Sequence, residues 1–219
     1  MNSSPAPRTF PLPSIQRLPV YLRFLKEQQD KGESVVSCTR IAEEFGQLSV
    51  QVRKDLSITG IIGRPKVGYK IAELIEAIED FLGWNSKTTA CLVGAGSLGS
   101  AILGYEGFVE HGLDIFCAFD TDPDKIGSTI HGRPVYDILD MGKIGRENRI
   151  EIGILTVPAL AAQSAANALL DIGIQAFWNY TPVRLDLPEG TICEEVKLSA
   201  SFAVLSSRMK NGAALLEVE

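Results

Sequence analysis

The sequence predicts a winged-helix domain, α with a small β wing, joined to an α/β Rossmann-like doubly wound parallel sheet and closed by a terminal helix. Three observations predict this. The apolar run Ala90 to Val93 leads straight into Gly94-Ala95-Gly96-Ser97-Leu98-Gly99 and then into helix-forming residues, the strand, turn and helix order of a dinucleotide-binding loop. Strand-like and helix-like segments alternate from there to about Tyr180, as parallel sheets with crossover helices require. The first third instead shows three short helical patterns and a glycine-bracketed basic hairpin.

Residues 1–13 carry four prolines and are expected to form a flexible arm. Residues 14–84 are expected to form the winged helix. Leu18, Tyr21, Leu22 and Leu25 recur at helical spacing. Ser37 or Thr39 caps a second helix with Ile41, Ala42 and Phe45 inward and Gly46 as its stop. Ser49 caps a third, whose Ser49, Gln51, Arg53 and Lys54 stand where a recognition helix meets base edges, while Val52 and Leu56 hold the core. Gly63 to Lys70 reads as the wing, with Arg64 and Lys66 at its tip and Tyr69 at its end for DNA contact. A plain three-helix packing module with a surface hairpin is the alternative. Ile71 to Leu82 is an amphipathic helix closing the domain, and Gly83 to Ser86 a linker.

Residues 85–195 are expected to form the nucleotide-binding domain. In the glycine loop the first glycine permits the turn, the second lets backbone approach a pyrophosphate, and the third lets helix and strand pack closely. A second strand, Ile115 to Phe119, ends at Asp120, where a carboxylate holds the adenosine ribose. No arginine stands beside Asp120 to take a 2′-phosphate, which favours NAD(H) over NADP(H). Lys125 follows in the next turn, near the adenosine end. Further strands are expected at Ile152 to Pro158 and Ala176 to Tyr180, with an alanine-rich helix between them. Residues 196–219 carry Leu198, Phe202, Leu205 and Met209 in one stripe, which must be buried on its own domain or on a second subunit.

The net charge of −6 is unevenly spread: residues 1–70 hold eleven Lys and Arg against six Asp and Glu, and the remainder ten against twenty-one. A basic front module on an acidic body points to a nucleic-acid or other polyanion surface at the front, and the helix-turn-helix plan makes double-stranded DNA the expected partner. No apolar run reaches the ~18 residues of a membrane span and no signal core follows the N-terminus, so a cytoplasmic protein without membrane contact is expected. Cys38, Cys91, Cys117 and Cys193 are far apart, which argues for free thiols and no metal site. An NAD-dependent oxidoreductase is the competing function. It would need an acid or base beside the nicotinamide, and His111 and His131 lie away from the strand ends, leaving only Tyr105.

These motifs, with Arg17-Leu18-Pro19-x-Tyr21-x-Arg23, Phe119-Asp120-x-Asp122-Pro123-x-Lys125-Ile126-Gly127, Thr156-Val157-Pro158-Ala159 and Trp178-Asn179-Tyr180-Thr181-Pro182-Val183, resemble the Rex family of redox-sensing transcriptional repressors over residues 14–183. The resemblance implies a homodimer on operator DNA that senses the NADH/NAD⁺ ratio, NADH releasing the DNA. It also implies a terminal helix swapped between subunits. By the same resemblance Thr156, Val157 and Pro158 wall the nicotinamide, Tyr105 changes partner with redox state, and Arg17 links the DNA-binding helix to that switch. Where the family carries an Asp for Arg17 and Tyr105, this chain has Lys197, which accepts from neither. Leu198 and Phe202 are the apolar candidates to act there instead.

Overall fold

The computed structural model describes residues 9–211, and the chain divides after Ser86 into two compact units. The parts of the expected arm and tail at residues 1–8 and 212–219 lie outside the described residues.

The first unit contains α1 (Leu12–Asp30), β1 (Val35–Val36), α2 (Cys38–Phe45), α3 (Ser49–Ser57), β2 (Tyr69–Lys70) and α4 (Ile71–Leu82). Its core is built from Leu18, Tyr21, Leu22 and Leu25 of α1, Ile41 of α2, Val52 and Leu56 of α3, and Leu74 and Ile78 of α4. Helix α2 starts where Ser37 accepts the Arg40 N–H and stops at Gly46, φ +63°, a left-handed terminus that glycine adopts without a Cβ penalty. Helix α1 begins at Leu12, two residues inside the expected arm. Ser49 is not the cap of α3 but its first helical residue, Leu48 holding the cap position. The wing is a tight hairpin in which Arg64 and Gly68 exchange backbone hydrogen bonds at 2.8 and 2.9 Å. Its outgoing strand, β2, pairs antiparallel with β1, a two-residue strand too short to show a periodicity of its own.

The second unit holds β3 (Thr88–Val93), α5 (Ser97–Leu103), α6 (Gly107–Glu110), β4 (Leu113–Asp120), β5 (Thr129–Ile130), β6 (Arg133–Asp137), α7 (Met141–Glu147), β7 (Ile152–Leu155), α8 (Ala159–Asp171), β8 (Ala176–Asn179), β9 (Ile192–Glu195) and α9 (Leu198–Asn211). The sheet order is β5-β6-β4-β3-β7-β8-β9. Every pairing is parallel except the β5-β6 hairpin. The chain leaves β3 to one side for β4 and to the other for β7, so the switch point of the sheet lies beyond the paired ends Val93 and Leu155. Strand β9 extends the sheet past the expected end and carries Cys193. Cys91 and Cys117 face each other in register on β3 and β4 at the sheet centre, fully buried. Burial pushes the Cys117 thiol up to about 12 and raises that of Cys91 further.

Candidate functional site

Both loops at the switch point of the second unit are fixed by contacts a sequence leaves invisible. Gly94 follows β3 at φ +99°, and a Cβ there would stand 2.8 Å from Val157 Cγ1 and 3.0 Å from the Thr156 carbonyl carbon. A Cβ on Gly99 would stand 2.2 Å from the Gly94 carbonyl oxygen, so only glycine lets α5 lie this close to the turn. Gly96 differs: the space where its Cβ would stand is open. Nothing in the protein itself demands a glycine there. Ala95 is buried, whereas Ser97 and Leu98 are exposed on the first turn of α5.

Asp120 closes the same loop from the end of β4. Its Oδ2 accepts the Ala95 N–H at 2.8 Å, and its Oδ1 accepts those of Thr121 at 2.8 Å and Asp122 at 3.0 Å. Lys125 Nζ reaches both Asp120 and Asp122, at 3.3 and 3.2 Å. Burial works against the charged carboxylate, but the Asp122 and Ala95 amides, Lys125 and the Thr121 amide outweigh it and hold Asp120 below the usual carboxylate range. The Thr156 hydroxyl donates to the Gly94 carbonyl at 2.7 Å, so it braces the glycine turn. Val157 packs on the core beside it and Pro158 starts α8, exposed. Tyr105 is 60% exposed and heads a run of ring contacts through Phe108 and Trp178 to Tyr180.

The basic surface of the first unit centres on α3. Val50, Arg53, Lys54 and Ser57 are exposed along one stripe at spacings i, i+3, i+4 and i+7, while Val52, Asp55 and Leu56 are buried. An open cleft of about 640 Å³ separates this helix from the wing, with Arg53, Ser57, Arg64 and Lys66 among its lining residues. Two further expected contacts, Tyr69 and Gln51, are largely engaged within the fold, although Tyr69 still borders the cleft. Tyr69 is only 8% exposed and belongs to the core, its ring lying directly over Gly63. Gln51 is half-buried and spends its amide on Asp55 Oδ1 at 2.8 Å.

Asp55 is the residue that sequence reasoning missed. It is fully buried, receives Arg17 through Nε at 2.7 Å and Nη2 at 2.8 Å, and accepts the Tyr21 hydroxyl at 2.8 Å. Burial opposes its charge, but donors from Arg17, Ser14, Tyr21 and Gln51 prevail and keep its proton affinity low. The hydrogen bond to Asp55 raises Arg17. Arg17 thus has its carboxylate within its own unit. Lys197, at the other expected end of the switch, pairs with Glu195 at 2.8 Å. Leu198 and Phe202 are exposed, and no side chain described in α9 is buried. A carboxylate amid the cations of α3 could have been flagged from sequence only by noting that its position, i+3 from Val52, falls on the core face.

Residues 85–183 match the family described as CoA binding domain, and residues 9–57 the one described as putative DNA-binding protein N-terminus. A redox-sensing transcriptional repressor Rex from Treponema denticola is 48% identical over 197 residues, covering 90% of this chain and 94% of that one. The chain belongs to the Rex family of redox-sensing transcriptional repressors. The Rex repressor of Porphyromonas gingivalis is 41% identical, with 92% of each chain covered. The solved Rex-family repressor RSP in complex with β-NAD⁺ and operator DNA matches at a TM-score of 0.88 and 32% identity, over 94% of this chain and 95% of that one. RSP in complex with β-NADH matches at 0.83, over 94% and 97%. A Rex repressor is a regulator, and the oxidoreductase alternative is set aside. Among the described residues no cluster of potential metal ligands occurs and no helix is long and apolar enough to cross a membrane.

Proposed function

We propose that this chain represses transcription as a homodimer that binds operator DNA through α3 and the wing, takes NAD(H) at the glycine loop, and releases DNA when the nicotinamide is reduced. The observation that carries the cofactor assignment is Gly96, whose missing Cβ leaves space that no protein atom uses. A pyrophosphate pressed against the backbone accounts for that space. Gly94, Gly99, Ala95, Ser97 and Leu98 shape the loop around it, and Asp120 takes the adenosine ribose. Asp120 already holds three backbone donors, so a ribose diol displaces its longest partner, Lys125, which keeps Asp122. Val157, Pro158 and Tyr105 stand on the nicotinamide side, with Thr156 bracing the turn beneath them. Arg53, Lys54, Arg64 and Lys66 supply the phosphate contacts. The unburied stripe of α9, with Leu198 and Phe202, is covered by the second subunit. Reading operators and a soluble dinucleotide pool, the protein works in the cytoplasm.

NAD⁺ and NADH differ in charge and ring shape at the nicotinamide, and only a difference in affinity between two dimer states can convert that into DNA release. Because Lys197 offers no carboxylate to Arg17, and both cations have a carboxylate partner in their own unit, the switch here runs through apolar packing of α9 rather than through an ion pair of Arg17 with the terminal segment. The test is fluorescence anisotropy on operator DNA at fixed salt, since phosphate contacts make affinity salt-dependent. Release by NADH and not by NAD⁺ is expected. Tight binding indifferent to both cofactors refutes the sensing role.

A further inference from the structure

Val50 stands at the N-terminal end of the outward stripe of α3, one turn before Arg53 and Lys54. It is 72% exposed, an apolar side chain without a protein neighbour to cover it in the first turn of the helix. Exposure alone does not single it out, since Leu48 and Ile62 are at least as exposed; its place on the outward face of this helix does, and an isopropyl group is of no use to a phosphate. Nor does it touch the fold: the core side of the helix is Val52 and Leu56. A helix lying in the major groove brings its N-terminal residues to base edges, and the one apolar feature on those edges is the C5-methyl of thymine. Arg53 and Ser57 line the cleft toward the wing, where a phosphate backbone would run. Outside that cleft the stripe offers Val50 and Lys54, and of these Val50 is the apolar one and stands at the leading end of the helix, where base edges are met.

Resting on the DNA-binding function proposed above, we infer that Val50 determines operator specificity by packing its isopropyl group on a thymine methyl in each half-site. Gln51 cannot share that duty freely, since Asp55 holds its amide. The contact is sterically permissive but chemically exclusive, because no other base offers a methyl at that edge.

The experiment uses the full chain and a duplex that it enriches from a random-sequence pool. Each thymine of the enriched half-site is replaced in turn by deoxyuridine, which removes the methyl and nothing else. At one position the wild-type protein should bind about fourfold more weakly per substituted half-site, the loss expected from exposing one methyl group. Val50→Ala should bind the parent duplex more weakly by a similar factor and no longer tell thymine from deoxyuridine there. Val50→Thr, which keeps a methyl, should retain part of the discrimination, and both variants should melt with the wild type because the residue is exposed. Three results would overturn the inference: an enriched duplex without an invariant thymine, indifference to every deoxyuridine, or a Val50→Ala protein that still discriminates. In each of these the protein still binds DNA; failure to enrich any duplex would instead bring down the DNA-binding function itself.

Discussion

Replacing Asp55 by alanine should loosen the first unit by about 2–3 kcal/mol while leaving dinucleotide binding intact. The magnitude follows from what the carboxylate holds. Breaking a buried ion pair by deleting one partner costs about 3–5 kcal/mol when the survivor stays buried, but the Arg17 side chain is 27% exposed and water takes over part of its solvation. The Tyr21 hydroxyl still meets the Gln47 amide, and Gln51 is half-buried. Each lost hydrogen bond then removes about 1 kcal/mol. The assay is amide hydrogen exchange of the intact protein, in which the protected amides of α1 and α3 should exchange some 30- to 150-fold faster. The same variant should lose operator affinity without a change in the slope of affinity against salt, because Asp55 positions the helix and touches no phosphate. The acid dependence has a definite sign. Asp55 titrates below its unfolded value, so its contribution is fully present above about pH 4 and is lost as pH falls through the lower folded value. Unchanged protection of α3, or an equal loss of cofactor affinity, would refute the view of Asp55 as the local anchor of that helix.

Arg53→Ala should weaken binding to all DNA sequences and reduce the salt slope by about 1, with NADH affinity unchanged in a fluorescence titration. Gly96→Ala and Gly99→Ala should separate ligand space from protein space. The first should leave the melting temperature where it is and weaken NADH binding at least tenfold, whereas the second, meeting the Gly94 carbonyl at 2.2 Å, should lower stability by about 1–3 kcal/mol, both read by calorimetry. Phe202→Glu on the unburied stripe of α9 should shift the sedimentation coefficient toward that of a monomer, and an unchanged dimer would remove α9 from the interface.

The glycine loop, the strands around it and the helices of the first unit were legible because each rests on a periodic apolar pattern with a glycine or proline at its limits. Helix α4 follows its pattern over Ile71–Leu82. What could not be read is facing. Ser49, Gln51, Arg53 and Lys54 are near one another in sequence, yet Gln51 turns to Asp55 while Val50 joins the cations. A helix turns 100° per residue, so neighbours in sequence are not neighbours on a face. Tyr69 belongs to a basic hairpin by sequence and to the core by structure, because the two-residue pairing of β1 with β2 sets its side. Thr156 was expected to wall a ligand, and its hydroxyl is engaged by the Gly94 carbonyl, a contact across 62 positions of sequence that no local pattern encodes. Strand β9 escaped notice because its residues alternate between exposed and half-buried and its partner β8 lies across a loop.

The in-register thiols at the middle of the sheet are buried where an oxidant would find them slow to react. Peroxides and disulfides are attacked by thiolates, and burial raises Cys117 to about 12, so that it stays protonated at neutral pH. Cys91, its neighbour across the ladder, is held more firmly still, and Cys193 is raised by burial and by the flanking carboxylates Glu195 and Glu194. A pulse of peroxide therefore meets no ready nucleophile in the sheet. Oxidative stress and the balance of hydride carriers often change together in a cell; a sheet whose sulfur is buried and kept protonated does not itself offer the first of these signals an entry.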